Sequence, residues 1–327
     1  DQIFIGKVPK KGEKFTYKMI SSGKGRTTCA FFTKKNKNII YASTHEAAHD
    51  CPPLPDRSKY GNKYIWPIYD SYDIYMADLN GKIVKKLTNT PGYDAEGTVS
   101  PDGTKMIFTS TRNGDLDLYV MNLKTGETKQ VTNTLGYDGG AWFSPDGKKI
   151  VWRASRPTAE ADVKEYKELL KDGLVAPTQM EVFIANADGS DAKQITHLGK
   201  ANWAPNFLPV GRIIFCSDYK YARGYPFNMY TMNQDGSNIQ KISHDKTFDA
   251  FPMFTQDGKN LFSIAQDVPK VIEVKQNPNL IFDNVNSNIV NILLIGRDVN
   301  YKIIFKHGKP IAHVYDENTP ARADSMI

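Results

Sequence analysis

The residues best placed to do chemistry begin with the stretch Thr44-His45-Glu46-Ala47-Ala48-His49-Asp50. His45 and His49 stand four apart with Glu46 between them, the HExxH spacing of zinc peptidases. On a helix that spacing puts both imidazoles on one face, with the glutamate free to act as general base. Here a short apolar run precedes the stretch and the proline-rich "CPPLP" follows it, leaving room for barely one helical turn. A zinc site also needs a third protein ligand. The stretch therefore reads as a loop, and His45 and His49 as candidate metal ligands that lack an evident third donor.

A second group is acidic. Tyr93-Asp94, Tyr137-Asp138 and Phe248-Asp249 recur at corresponding places, and Glu96 follows the first. Converging carboxylates attract a divalent cation such as Ca²⁺, which takes about 6–8 oxygens. The competing reading is that each Asp caps local backbone N–H groups. Recurrence favours the cap, because structural roles repeat and ligand sites need not.

A third group is basic and aromatic: Arg112, Arg153, Arg156 and Arg223, with Trp66, Tyr69 and Tyr221. Arginine and aromatic residues are enriched at binding hot spots, and arginine grips carboxylates in a bidentate manner. They are candidate partner-binding residues for a protein or peptide. Arg112 and Arg153 could instead pair with nearby Asp residues.

Three cysteines are present, Cys29, Cys51 and Cys216, with no CxxC or Cys/His metal spacing. A Cys29–Cys51 disulfide would close a loop of about 20 residues and stabilise by about 3 kcal/mol in the chain-entropy model. It would imply an oxidising compartment. The alternative is two reduced thiols, with Cys216 a free core residue. There is no GxSxG, P-loop or GxGxxG motif.

The elements that must position these groups are short strands. The chain has 327 residues, 40% hydrophobic and 24% charged, enough for a large core. No apolar run approaches the roughly 18–20 residues that cross a bilayer as a helix. The net charge of +6 is spread along the chain, which argues against a nucleic-acid partner. The chain starts "DQIFIG" without Met and shows no signal peptide, so a processed or trimmed start is expected.

"LGYDGGAWFSPDG" (135–147) repeats "PGYDAEGTVSPDG" (91–103) at an offset of 44. Related turns occur at 33–36, 208–211 and 255–258. Each precedes a strand: "NIIYAS", "KMIFTS", "KIVWRAS", "RIIFCSD" and "NLFSIAQ". Third strands such as "LDLYVMNLKTG" and fourth strands such as "TKQVTNT" complete the unit. Period-2 alternation with Gly, Asn and Asp turns is the hairpin signature, and four strands per unit of this length is a propeller blade.

Two insertions interrupt the period. Residues 44–72 are proline-rich and read as a loop. Residues 156–179 read as a short helix near 158–172, with Thr158 as N-cap and Gly173 as stop signal. The expected architecture is all-β: a single six-bladed propeller of four-stranded blades over 1–327. The blades are 1–27 (completed by 288–310), 28–94, 95–138, 139–200, 201–249 and 250–287. Within 288–308, the first run reads as a first strand and the second as a second strand. Residues 267–327 could instead form a separate appendage. In this architecture the Asp94, Glu96, Asp138 and Asp249 carboxylates ring the mouth of the central channel. The long insertions share one loop-rich face, and the SPDG turns share the other.

These motifs, above all "VSPDGTKMIFTSTRNGDLDLYVMN" and "TKQVTNTLGYD", resemble the TolB-like β-propeller repeats over roughly 1–266. The resemblance implies a six-bladed ring, an extracytoplasmic location (periplasmic or secreted) and a binding platform. It is specific for fold and weak for function. The leading expectation is a non-enzymatic propeller that binds a protein or peptide through its loop-rich face, with no nucleic acid and no membrane span. The alternatives are a metal-dependent enzyme at the channel mouth, like the oligogalacturonate lyases, or a detached accessory propeller of a peptidase or cell-envelope assembly.

Overall fold

The computed structural model describes residues 1–7, 16–222, 226–243 and 248–254, and the backbone of strands at 261–266, 291–296, 301–306 and 309–314. β1 (Gln2–Lys7) pairs with β2 (Tyr17–Met19). After β3 (Thr27–Phe32) and β4 (Asn38–Ser43) the chain makes a short β5 (Trp66–Pro67). It returns through β6 (Asp73–Asp78) and β7 (Ile83–Lys86), giving a first sheet ordered β3-β4-β6-β7. The second sheet is β8 (Asp94–Val99), β9 (Lys105–Ser110), β10 (Asp117–Asn122) and β11 (Thr128–Gln130). The third begins with β12 (Asp138–Phe143) and β13 (Lys149–Ala154). It is interrupted by α1 (Glu160–Lys171) and β14 (Leu174–Val175), and ends with β15 (Glu181–Asn186) and β16 (Lys193–Gln194). The fourth is β17 (Asn202–Phe207), β18 (Ile213–Ser217), β19 (Asn228–Met232) and β20 (Gln240–Lys241). β21 (Phe248–Phe254) pairs with β22 (Leu261–Gln266). β23 (Asn291–Gly296) pairs antiparallel with β1, Ile3 facing Ile295 and Ile5 facing Leu293. β24 (Tyr301–Lys306) pairs with β25 (Lys309–Val314).

The second strands β4, β9, β13 and β18 are buried on both sides, because each sheet packs between two neighbours. Ile39 and Tyr41 of β4 join one core with Ile3 and Tyr75, while Ile40 and Ala42 face another with Met106 and Phe108. Ile150 and Trp152 of β13 face back toward Ile107, while Val151 faces on toward Phe215. These strands therefore read as near-continuous apolar runs. The outer strands are different: Ile83, Val84 and Lys85 of β7 are all exposed.

The SPDG turns close the hairpins. Ser100 Oγ donates to Asp102 Oδ1 and accepts the Lys105 N–H at 3.0 Å, and Gly103 takes φ +76. Ser144, Asp146, Lys149 and Gly147 repeat this pattern, with Gly147 at φ +71. Hydrogen bonds from Ser100 and the Thr104 backbone and hydroxyl hold the Asp102 carboxyl down at about 2. The turn is structural.

The runs within 288–308 were expected to pair onto the N-terminal strands; β23 pairs with β1, whereas β24 pairs with β25. Thr158 does not cap the helix: Ala159 occupies the cap position without a side-chain bond, and α1 opens on Glu160. Gly173 does end the helical segment, at φ +70.

Candidate functional site

Each inner strand (β3, β8, β12, β17 and β21) carries a β-bulge at the same register. One residue in each bulge has left-handed φ: Cys29 (+52), Glu96 (+58), Gly140 (+59), Ala204 (+47) and Phe251 (+52). Bulges re-aim side chains and recur beside functional sites. In the second sheet the bulge aims the Glu96 carboxylate across to the third.

Glu96 is buried and fully partnered. Its Oε1 accepts from Arg153 Nη2 at 2.6 Å and Tyr137 Oη at 2.7 Å. Its Oε2 accepts from the Gly140 N–H at 2.8 Å and Thr109 Oγ1 at 3.0 Å. Burial alone would push this carboxyl up; Arg153 and the hydroxyl donors outweigh it and hold it below its ordinary value. Arg153 also lies 5.2 Å from the Tyr137 ring and 5.6 Å from the Trp66 ring. Gly140 makes the room, since a β-carbon there would stand 1.9 Å from Arg153 Nη1.

The repeated Asp residues open their strands. Asp94 is gripped by Arg112 Nη2 at 3.0 and 3.2 Å. Asp138 accepts from Arg156 Nη2 and Trp152 Nε1, both at 2.6 Å. These pairs lie within one sheet and recur 44 residues apart, as a structural role should. Asp249 is the second residue of β21, at the equivalent register before its bulge, and is buried. Asp94, Glu96 and Asp138 thus each face an arginine. Among the described residues no group of three or more His, Cys, Asp or Glu is arranged to hold a metal ion. The donor set does not fit Ca²⁺.

The two insertions meet. β5 pairs with β14, Trp66 opposite Val175 and Pro67 opposite Leu174. Ile65, Leu169 of α1 and Leu174 form a small core of their own. Lys59 and Tyr60 hold Asp172, and Lys63 pairs with Glu165. Tyr166 of α1 donates to Asp115 of the second sheet. The result is a cap over the inner strands. Its Trp66 packs 5.3 Å from Trp203, and Arg26 lies 5.8 Å from the Tyr69 ring. A cleft of about 310 Å³ opens on the cap between Lys59, Tyr60, Lys63, Lys164, Glu165 and Glu168.

The sequence-derived residues therefore separate. Trp66 (6% exposed), Tyr69 (8%) and Arg153 (7%) are inside, under or within the cap. Arg112 and Arg156 lie at its margin, their side chains 15% and 21% exposed and tied to Asp94 and Asp138. Tyr221 is half-buried and its hydroxyl meets Asn228 and Lys241. Arg223 lies outside the described residues. His45 and His49 have different neighbours: His45 bonds Ser43 and packs 4.4 Å from Tyr75, while His49 is exposed beside Asp50. The segment between them makes turns and no helix.

The expected disulfide is not formed, and all three cysteines are free. Gly25 N–H donates to His49 O at 2.7 Å and Cys51 Sγ contacts Gly25 O at 3.4 Å, while Cys29 sits in the β3 bulge near Glu96. The Glu96–Arg153–Tyr137 cluster was missed. Its only sequence signal was the Gly139-Gly140 pair standing where the preceding repeat has Ala95-Glu96.

Four-stranded antiparallel sheets whose bulged inner strands lie side by side define a β-propeller. The chain is TolB-like: residues 67–167 match the family model described as the TolB beta propeller domain. The structure is similar to that of TolB from Acinetobacter baumannii, at 18% identity and a TM-score of 0.52. That match covers 80% of this chain and 57% of the other, so this chain spans little more than half of that protein's length. A putative TolB from Agrobacterium tumefaciens gives 20% identity and a TM-score of 0.42, covering 73% and 87%. An oligogalacturonate lyase in complex with manganese gives 18% and 0.46, covering 71% and 56%. No curated protein matches the chain.

Proposed function

We propose that this is a non-enzymatic, extracytoplasmic propeller whose capped, loop-rich face receives a protein or peptide. The observation that carries it is the β5–β14 pairing, which joins two distant insertions into one rigid platform. Binding surfaces tend to sit on variable loops held by a rigid scaffold. Leu54, 69% exposed, and the cleft beside Lys164 are the outward features of this platform. Arg112, Arg156 and Tyr221 are proposed as margin contacts, with Trp66, Tyr69 and Arg153 supporting from below; Arg223 is proposed as a contact from the sequence alone. The ring is proposed to have six blades, the β1–β23 pairing supporting closure. The extracytoplasmic assignment, and with it a place in a cell-envelope assembly, rests on the TolB-like class alone, because the disulfide that argued for an oxidising compartment is absent.

The test is affinity capture from envelope extracts with the wild type and the double variant Leu54→Asp/Lys164→Glu, both exposed positions. Loss of a specific captured protein at unchanged melting temperature is expected. Equal capture by both would place binding elsewhere. Appearance of unsaturated product from oligogalacturonate with added manganese would overturn the non-enzymatic reading.

A further inference from the structure

The face opposite the cap carries a second arrangement. The turns joining inner to second strands abut one another. A β-carbon on Gly103 would stand 2.8 Å from Lys34 Cβ, and one on Gly147 would stand 3.7 Å from Pro101. Lys149 Nζ donates to Gln234 Oε1 at 2.8 Å, and Gln234 Nε2 donates to Gly211 O at 2.7 Å. The turns therefore form a continuous belt. Lys34, Lys35, Lys37, Lys105, Lys148 and Lys149 are all exposed on it. Two acids accompany them, Asp102 and Asp146, each folded back onto its own turn. Of the acids of the outer turns, Asp78, Asp188 and Asp235 are likewise bound to their own turn backbones, and Glu127 and Asp191, both exposed, pair with Lys129 and Lys193.

Inside this belt each inner strand presents one residue just beyond its bulge. In equivalent register these are Phe31, Thr98, Trp142, Asn206 and Met253. The two polar ones reach to the neighbouring sheet: Thr98 Oγ1 donates to Ala141 O at 2.6 Å, and Asn206 Nδ2 to Pro252 O at 2.9 Å. The apolar ones are all accessible at least in part. Phe31 and Trp142, both part-exposed, meet edge-to-face at 5.1 Å, and Met253 is 39% exposed. The described part of this mouth thus carries Phe31, Trp142 and Met253, flanked by lysines on three adjacent turns.

We infer that this lysine-belted mouth docks an acidic protein segment carrying one apolar side chain, which enters beside Phe31, Trp142 and Met253. The two parts of the surface supply different things. The apolar side chain gains by leaving water, and the lysines, exposed and flexible, steer the acidic segment and orient it. Their arrangement suits a peptide better than a nucleic acid. A phosphate backbone needs a track of cations with open aromatic faces for its bases. Here the lysines are spread over the turns of three adjacent sheets, and Phe31 and Trp142 are engaged with each other.

The inference concerns the face opposite the proposed platform, and one experiment separates the two. A short fluorescent peptide of Asp, Glu and Gly with one central Phe is titrated by anisotropy, beside the same peptide with Ser for Phe, a single-stranded oligonucleotide and anionic phospholipid vesicles. The Phe peptide is expected to bind roughly tenfold or more tighter than the Ser peptide, with affinity falling as salt rises. Lys35→Glu/Lys105→Glu/Lys148→Glu, three exposed positions, should weaken it by roughly tenfold or more at unchanged melting temperature. Met253→Ser should narrow the Phe-to-Ser difference. The Leu54→Asp/Lys164→Glu variant should bind the peptide as the wild type does. Absence of Phe-peptide binding, indifference to charge reversal, or tighter binding of the oligonucleotide or vesicles would each overturn the inference.

Discussion

Arg153 reaches out of its own sheet and holds the carboxylate of Glu96, in the preceding sheet, at 2.6 Å. Glu96 has left-handed backbone and Arg153 extends over a glycine, so both ends of the pair depend on unusual local geometry. The pair ties two sheets together directly beneath Trp66 of the cap.

Removing one partner leaves the other as an unpaired buried charge, which costs about 3–5 kcal/mol. Arg153→Ala should lose that much in denaturant titration, and Arg153→Met with Glu96→Gln should recover a large part. Gly140→Ala should also destabilise, by roughly 1–3 kcal/mol for backbone strain, because it requires positive φ and displaces Arg153. Gly114→Ala, at φ +87 with open space around it, gives the strain alone. Equal losses at the two glycines would show that Arg153 does not need the space.

Stability should fall as pH rises from about 4 to about 7. Burial pushes Asp117 up to about 7, with Asp115 and Asp138 adding to it. Burial also raises Asp138 to about 6, against the pull of Arg156. A carboxyl raised on folding favours the fold while protonated, so its contribution is complete below the unfolded value of about 3.9 and is lost as pH rises through 6 to 7. Glu96 acts in the opposite sense, being held down, and loses its contribution as pH falls through its folded value. Thermal midpoints should therefore decline as pH rises from about 4 to about 7, and Asp117→Asn should flatten that decline. Parallel pH profiles for wild type and Asp117→Asn would remove Asp117 from this account.

The thiols should separate by reactivity. Cys51 is exposed, whereas burial raises Cys29 to about 11 and Cys216 to about 12. A thiol reagent at neutral pH should modify Cys51 quickly in the folded protein, and all three cysteines on denaturation without reductant. A single reactive thiol in the denatured, unreduced chain would restore the Cys29–Cys51 bond.

The repeat and its strands were legible in the amino-acid order. Asn38–Ser43 and Lys105–Ser110 were delimited to the residue, because hairpin turns demand Ser, Asp and Gly at fixed places and strands demand a period of two. The Asp-led step between sheets was also legible, since a local role repeats with the local sequence. What pairs with each Asp was not. Arg112 meets Asp94 and Arg156 meets Asp138 within one sheet, but Arg153 crosses to Glu96, and nothing in the neighbouring letters distinguishes them. The fate of the insertions was decided by folding as well. Trp66 and Tyr69, read as outward contacts, are drawn inward because β5 finds an edge to pair with in β14, far along the chain. Local sequence set the backbone of each hairpin, since the forces involved act over a few residues. Burial, ion pairing and thiol spacing depend on which sheets the fold brings together, and only tertiary packing supplies that.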